Sequence, residues 1–320
     1  MVKVSVCIQT YNHEPFIAQA LDSVLTQETD FDYEIILGED ESQDGTREIC
    51  IEYARRYPDR IRLFLRSRKD VIYVDGRPTG RFNLVENLKA ASGDYIALLE
   101  GDDYWTDPLK LQKQVEFLGA HPECAICFHG YTVSFEDGSR PPYVAPPPPK
   151  SITSLEDLLV WDFIGTLTVM FRRRATQELP DWYYELPMGD WPLHILNAQH
   201  GDIGYIDSVM AVYRVHDAGV LRSWSPGTYA SGAINMLQYL NEHLGYRYDD
   251  TIRGRLSKHF VQMAVVQADA GDCDSARHYL KQALIARPFA GHLRMRDLAV
   301  TAGRLYAPVL YRLGKRLLVR

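Results

Sequence analysis

Through its first 130 residues the chain keeps exchanging one hydrophobic period for another, and that exchange admits few folds. Lys3 to Gln9 alternates Val4, Val6 and Ile8 in the manner of a strand. Glu14 to Gln27 then carries Phe16, Ile17, Ala20, Leu21, Val24 and Leu25 at helical spacing. Tyr33 to Leu37 predicts a second strand, and a helix opens at Asp44-Gly45-Thr46 and runs through Tyr57, where Pro58 stops it. Ile61 to Leu65 predicts a third strand, Leu84 to Ala91 a helix and Asp94 to Leu99 a fourth strand. A helix from Pro108 to Leu118 and a strand from Ala125 to Val133 follow. Repeated βα units of this length call for a mostly parallel sheet with right-handed crossovers and helices on both faces. The fold class is therefore α/β, Rossmann-like in its central sheet.

Ligands of such sheets bind beyond the carboxyl ends of the strands. That rule gathers three polar segments: Gln9-Thr10-Tyr11-Asn12, Gly38-Glu39-Asp40-Glu41-Ser42 and Glu100-Gly101-Asp102-Asp103. The last follows Ile96 to Leu99, an apolar run suited to a strand covered on both faces. Its three carboxylates repel one another unless a cation or strong donors neutralise them. Mg²⁺ and Mn²⁺ favour oxygen ligands and keep positions open for phosphates, so one reading is a metal–diphosphate site. The other is an acidic lead-in to the helix after Asp107-Pro108, since acids favour a positive helix end. Any one segment fits capping chemistry; three after three strands argue for a site.

Composition narrows the classes. With 320 residues, 46% hydrophobic and 24% charged, the chain can bury a large core and reads as an ordinary globular protein. A net charge of −7 argues against a general nucleic-acid binder. No stretch approaches the length of a membrane span, and Met-Val-Lys-Val-Ser-Val reads as a strand rather than a signal peptide. Five cysteines fit a reducing cytoplasm better than a disulfide framework. Cys124 and Cys127 fall inside a predicted strand with no second pair, so packed thiols are expected there rather than zinc.

Val4-Ser5-Val6-Cys7-Ile8-Gln9-Thr10-Tyr11-Asn12, followed by Ala20-Leu21-Asp22-Ser23-Val24-Leu25-Thr26-Gln27, closely resembles the opening of family 2 glycosyltransferases of the GT-A fold. Glu39-Asp40-Glu41-Ser42-Gln43-Asp44-Gly45-Thr46 is similar to that family's Asp-Asp-Gly-Ser-x-Asp-Gly-Thr. Gly93-Asp94-Tyr95-Ile96-Ala97 leading into Glu100-Gly101-Asp102-Asp103 resembles its Asp-x-Asp metal motif. The match spans residues 3–130, with looser similarity to about residue 225. The resemblance implies that Thr10, Tyr11 and Asn12 line the nucleotide base and ribose, and that Asp40 accepts a hydrogen bond from the base. It implies that Asp102 contacts ribose or metal, and that Asp102 or Asp103 holds Mn²⁺ or Mg²⁺ on the diphosphate. Three positions depart from the pattern: Glu39 replaces the first Asp of its pair, Glu41 the usual Gly, and Glu100 the first Asp of Asp-x-Asp. The longer Glu100 binds metal through water or serves as a structural acid. The family's Arg-Asn segment before the metal strand is not cleanly present; Arg81 and Asn83, after the Gly76–Gly80 loop, are the candidates to substitute for it, against the reading of an exposed loop arginine.

The second half is expected to supply acceptor and base. After the proline-rich linker Arg140 to Pro149, a helix starts at Ser154. Asp190, in Pro187-Met188-Gly189-Asp190-Trp191, matches the family's general base, and an N-cap aspartate is its alternative. Trp105 or Trp191 offers an apolar face to a sugar ring unless it is core. Tyr213-Arg214-Val215-His216 resembles a family Tyr-Arg-x-His in which His216 contacts metal or pyrophosphate. From Pro226 the pattern turns helical, with one tetratricopeptide-like hairpin, where a solenoid needs about three repeats. Residues 294–320 hold seven basic side chains against Asp297 alone. That tail suits an anionic membrane surface or a solvated helix face.

The expected organisation is a GT-A domain over 1–225, with a nucleotide-sugar half at 1–130 and an acceptor half at 131–225, then a helical appendage over 226–320. The expected activity is inverting, metal-dependent transfer of a sugar from a nucleotide donor (a UDP-sugar) to a glycan or lipid-linked acceptor in polysaccharide biosynthesis. The expected location is the cytoplasm or the inner membrane face. A nucleotidyltransferase would call for Gly, Arg or Lys in residues 9–16, which hold none. A helical-repeat scaffold would call for further repeats.

Overall fold

The strand at the centre of the sheet, β1 (Val4–Thr10), pairs in parallel with β2 (Tyr33–Glu39) on one side and β6 (Tyr95–Glu100) on the other. β3 (Ile61–Leu65) extends the sheet beyond β2, and the two-residue strands β4 (Tyr73–Val74) and β5 (Arg77–Pro78) form a separate small hairpin. The computed structural model from which these elements come describes residues 2–176, 179–217, 219 and 225–287. Beyond β6 the order runs through β11 (Met170–Arg172), β8 (Cys124–Phe135) and β12 (Asp202–Val215) to β10 (Ile152–Thr153). β7 (Tyr104–Trp105) pairs with β12, and β9 (Tyr143–Val144) with β8. The fold is thus an α/β architecture, a mostly parallel sheet flanked by helices as the alternation of periods predicts, and it is of the GT-A kind that the resemblance implies.

Burial explains why the apolar runs become central strands. Ile96, Ala97, Leu98 and Leu99 are each 0% exposed, so β6 is covered on both faces. Truncating any of its leucines to Ala would cost about 2–5 kcal/mol. The first helix, α1 (Ile17–Leu25), buries Ile17, Ala20, Leu21 and Val24 at intervals of three and four. It begins later than Glu14 because that region is taken up in loop bonds: Glu14 Oε2 accepts the Gly45 amide at 2.9 Å, and the Glu14 amide donates to Asp44. Helices α2 (Thr46–Arg56), α3 (Arg81–Ala90) and α4 (Lys110–Ala120) follow close to their predicted positions. Cys124 and Cys127 are buried free thiols on β8.

Besides the two-residue strands, β11 and β12 differ from the sequence expectation. β11 is antiparallel to both neighbours, and three residues leading into an arginine run leave no periodic trace. β12 starts at Asp202 rather than Val209, because register shifts at Ile206/Val209 and Val209/Ala211 break its alternation. Helices α5 (Leu155–Val160) and α6 (Asp190–Ala198) belong to the same half, and Ser154 caps α5 through a capping box with Asp157.

The chain divides into units 1–217 and 218–320. In the second, α7 (Pro226–His243), α8 (Asp249–Asp269) and α9 (Cys273–Ala286) are described. Ala264, Ala276 and Leu280 form the small core of the α8–α9 hairpin. The basic stretch 294–320 lies outside the described residues. Among the described helices none is long and apolar enough to cross a membrane.

Candidate active site

Strands β2, β1 and β6 are parallel neighbours, so their carboxyl ends open on one edge. Gln9 lies level with Gly38 on one side and Glu100 on the other. Backbone bonds carry the alignment past the strands: the Asp40 amide donates to Thr10 O at 3.1 Å and the Gly101 amide to Gln9 O at 3.0 Å. The three polar segments therefore meet in one cleft, as the strand-end rule requires.

Side chains beneath the cleft fix its floor. Asn83 Nδ2 donates to Gly38 O and Asn87 Nδ2 to Ile8 O, while Arg66 donates to both asparagine side-chain oxygens. A Cβ at Gly38 would lie 1.9 Å from Asn83 Oδ1, so only glycine fits there. Glu39, fully buried, accepts the Ser42 amide and the Arg47 guanidinium, a loop anchor rather than a ligand-facing acid. Glu41 occupies the left-handed region with φ 58°, where glycine would be relaxed. Its carboxylate repays the conformation by accepting Ser67 Oγ and the Arg68 amide, which seats the Arg68 loop.

Arg68, absent from the sequence-based site, completes the nucleotide end. Its Nη1 lies 2.7 Å from Asp40 Oδ2 and its guanidinium 4.1 Å from the Tyr11 ring centre. Burial pushes the Asp40 carboxyl above its usual range despite that arginine, and its Oδ1 has no protein partner. An aromatic face, a cation and an open carboxylate oxygen together suit a nucleobase. The missed signal was a basic Arg66-Ser67-Arg68 exit from β3 beside an acidic exit from β2. Asn12 ties loops instead: its amide donates to Ser42 Oγ, and its Oδ1 accepts from the Gln43 amide. Thr10 is buried with Oγ1 unpaired, facing Gly101, where an added Cβ would sit 2.6 Å from that oxygen.

At the acidic end the three carboxylates have separate environments. Asp102 Oδ2 lies 3.0 Å from His216 Nε2 and 3.7 Å from His13 Nε2. Burial pushes Asp102 up, but the His216 bond and the two imidazoles outweigh it and hold the carboxyl below its usual range. Asp103 is 1% exposed, and its Oδ1 accepts the Arg214 amide at 2.8 Å. Burial, then the Asp102 and Glu100 charges, push its carboxyl well up. Asp103, expected as a cation ligand, is tied to β12 through Oδ1 while its Oδ2 is buried without a partner, and Asp102 is the more exposed of the two carboxylates. Arg214 Nη1 also donates to Asp102 O, clamping the turn. Burial, then Asp102, then Asp190 push the Glu100 carboxyl up to about 8, and its Oε2 is unpaired.

Asp190 begins α6 and stands across from Glu100. Its Oδ2 accepts from Thr166 Oγ1 at 3.3 Å and its Oδ1 from the Trp191 amide at 2.8 Å. Arg81 holds the approach to it. This residue, expected near the nucleotide or else exposed, is 3% exposed, and its Nη2 donates to Leu186 O and Met188 O and its Nη1 to Tyr183 O. It is a buried brace for residues 183–189. Trp105 and Trp191, expected as sugar contacts, are core residues at 4% and 2% exposure. Their indole N–H groups donate to Leu167 O and Leu158 O, so neither ring presents a free face.

Among the described residues no three His, Cys, Asp or Glu side chains converge to hold an ion by themselves. A divalent ion that keeps one or two protein ligands and takes the rest from phosphates needs no such cage. Asp102 with His216 fits that arrangement, and Glu100 Oε2 beside them has no partner within the protein.

The family model for glycosyl transferase family 2 matches residues 5–179. An uncharacterized protein of Mycobacterium tuberculosis is 39% identical over 224 residues, covering 69% of this chain and 61% of its own length. A putative teichuronic acid biosynthesis glycosyltransferase of Bacillus subtilis is 34% identical over 176 residues, covering 55% and 64%. The chain therefore spans less than two thirds of either relative. Among solved structures, S. aureus TarS 1–349 in complex with UDP is similar with a TM-score of 0.61 at 16% identity, covering 98% of this chain and 92% of that one. A Pyrobaculum calidifontis mannosyltransferase in complex with GDP-Man and Mn²⁺ gives 0.53 at 16% identity, covering 96% and 88%. At such identities the likeness is one of fold.

Proposed function

The chain belongs to glycosyl transferase family 2, and from that premise we propose that it moves a sugar from a nucleotide-sugar donor, a UDP-sugar, to an acceptor hydroxyl with inversion at the anomeric carbon. The observation that carries the reading is the opposition of two acidic groups across one cleft: Asp102 with His216 on the strand-exit side, and Asp190 on the other. Glu100 feels the charge of both, Asp102 the more strongly.

Tyr11, Asp40 and Arg68 hold the base, with Thr10 beside the ribose. Asp102 and His216 would hold a divalent cation, Mn²⁺ or Mg²⁺, and the bound ion would offset the charge developing on the departing diphosphate. Asp190 accepts the proton of the attacking hydroxyl as the new bond to the anomeric carbon forms. Its Thr166 and Trp191 bonds fix the carboxylate toward that position. Attack opposite the leaving diphosphate in one step inverts the configuration. The UDP-bound neighbour and the teichuronic acid relative support a UDP-sugar and a role in surface polysaccharide synthesis, with a glycan or lipid-linked acceptor.

The test is release of UDP from a panel of UDP-sugars, with and without Mn²⁺. Asp190→Asn is expected to lower turnover at least a hundredfold while UDP binding stays intact, by the usual weight of a general base of ~10²–10⁴. Asp102→Asn is expected to weaken Mn²⁺-dependent UDP binding. Both variants turning over at the wild-type rate would remove the assignment.

A further inference from the structure

Trp161, exposed at 42%, directly follows α5, and the neighbouring elements bind it to the proposed base. The Trp191 indole N–H donates to Leu158 O at 3.0 Å, which joins α5 to the first turn of α6 where Asp190 sits. The chain then runs from Trp161 through Asp162 to Thr166, whose hydroxyl donates to Asp190 Oδ2. Five residues span at most about 17 Å even when extended, so Trp161 lies within reach of a short oligosaccharide seated at that carboxylate.

The Trp161 ring meets Phe163 edge-on at 6.0 Å between centroids, and Tyr131 of β8 packs on the same segment two residues further along. A Cβ on Gly165 would sit 2.8 Å from its Cε1, so the ring lies against the backbone of this segment. Burial pushes its hydroxyl up to about 12, helped by Asp162, Tyr143, Asp103 and Asp190 in that order, which sets those groups around it. Tyr143 on β9 is 52% exposed at the same rim. The outer side of the cleft thus alternates aromatic faces with carboxylates.

We infer that Trp161, Tyr131 and Tyr143, with Asp162 between them, form the acceptor subsite and that it takes an uncharged sugar ring of a glycan. This rests on the glycosyl-transfer reading of Asp190. The C–H faces of a pyranose cover aromatic rings, and its hydroxyls donate to carboxylates. An acyl chain would leave the Asp162 charge stranded against hydrocarbon. A uronate or phosphate ring would meet Asp162 and Asp190 as like charges.

The experiment titrates tryptophan fluorescence of the full chain with neutral tetrasaccharides of glucose, mannose and N-acetylglucosamine, with tetragalacturonate, and with phosphatidylglycerol vesicles. Saturable change with at least one neutral tetrasaccharide, and none with the other two probes, is expected. Trp161→Ala should weaken that binding about tenfold, the cost of losing one aromatic anchor. Tyr143→Ala should act in the same direction, with UDP affinity unchanged in both. No response to any neutral tetrasaccharide, an equal response in Trp161→Ala, or a response to tetragalacturonate or vesicles alone would overturn the inference. Because saccharide binding is read without turnover, its failure is separable from failure of UDP-sugar cleavage.

Discussion

At the scale of single residues, charge in the cleft is distributed by what each side chain can still reach. Asp40 keeps one oxygen open because Arg68 occupies only the other. Removing that arginine leaves a carboxylate with 4% side-chain exposure and only Arg66 as a cation near it, and exposes the Tyr11 ring on one side. Arg68→Ala is therefore expected to weaken UDP binding about tenfold, the weight of one hydrogen bond to a charged group. Titration calorimetry with UDP checks it; unchanged affinity would detach Arg68 from the base. Asp40, Asp102 and Thr10 were legible in sequence because each sits at a fixed offset from a recognisable strand. Arg68 was not, since a basic residue in a loop has no period and its partner lies 28 positions away. Trp105 and Trp191 show the reverse: an aromatic beside an acid gives no hint whether its N–H finds a carbonyl in the core.

At the scale of elements, the sheet was legible and the brace was not. Parallel strands buried on both faces write themselves as apolar runs, whereas β11 is three residues long and β12 is broken by its register shifts. Arg81 belongs to α3 by sequence but to the approach to α6 by function, holding this segment through the carbonyls of Tyr183, Leu186, Pro187 and Met188. It also stacks on Tyr183 at 4.4 Å. A lysine keeps the charge but not the fork that reaches several carbonyls at once. Arg81→Lys is expected to lower turnover roughly tenfold by loosening Asp190, with UDP affinity untouched, since no nucleotide group contacts this arginine in the proposed site. Steady-state kinetics with a parallel UDP titration separates the two effects. A loss in UDP affinity alone would return Arg81 to the donor site, where the sequence had placed it.

For the molecule as a whole, the buried histidines set how the fold meets acid. Burial pushes His129 down to about 3 and both His194 and His259 to about 4, whereas an unfolded chain protonates histidine near 6.5. Below that value the unfolded state takes up protons that the folded state refuses. Stability is then fully present above about pH 6.5 and falls as pH drops toward the folded values, by roughly 1.4 kcal/mol per pH unit for each such group. Nothing in sequence marks these three, because a histidine on β8, one on α6 and one on α8 acquire their chemistry only from what covers them. His259 isolates the effect, since α8 lies in the second unit and carries none of the proposed site. His259→Leu is expected to flatten the decline of thermal stability between pH 6.5 and 4.5. Melting temperatures of wild type and variant across that window provide the measurement, and their difference cancels the carboxylates titrating in the same range. Parallel curves for the two proteins would mean that the folded state protonates His259 as readily as the unfolded chain does.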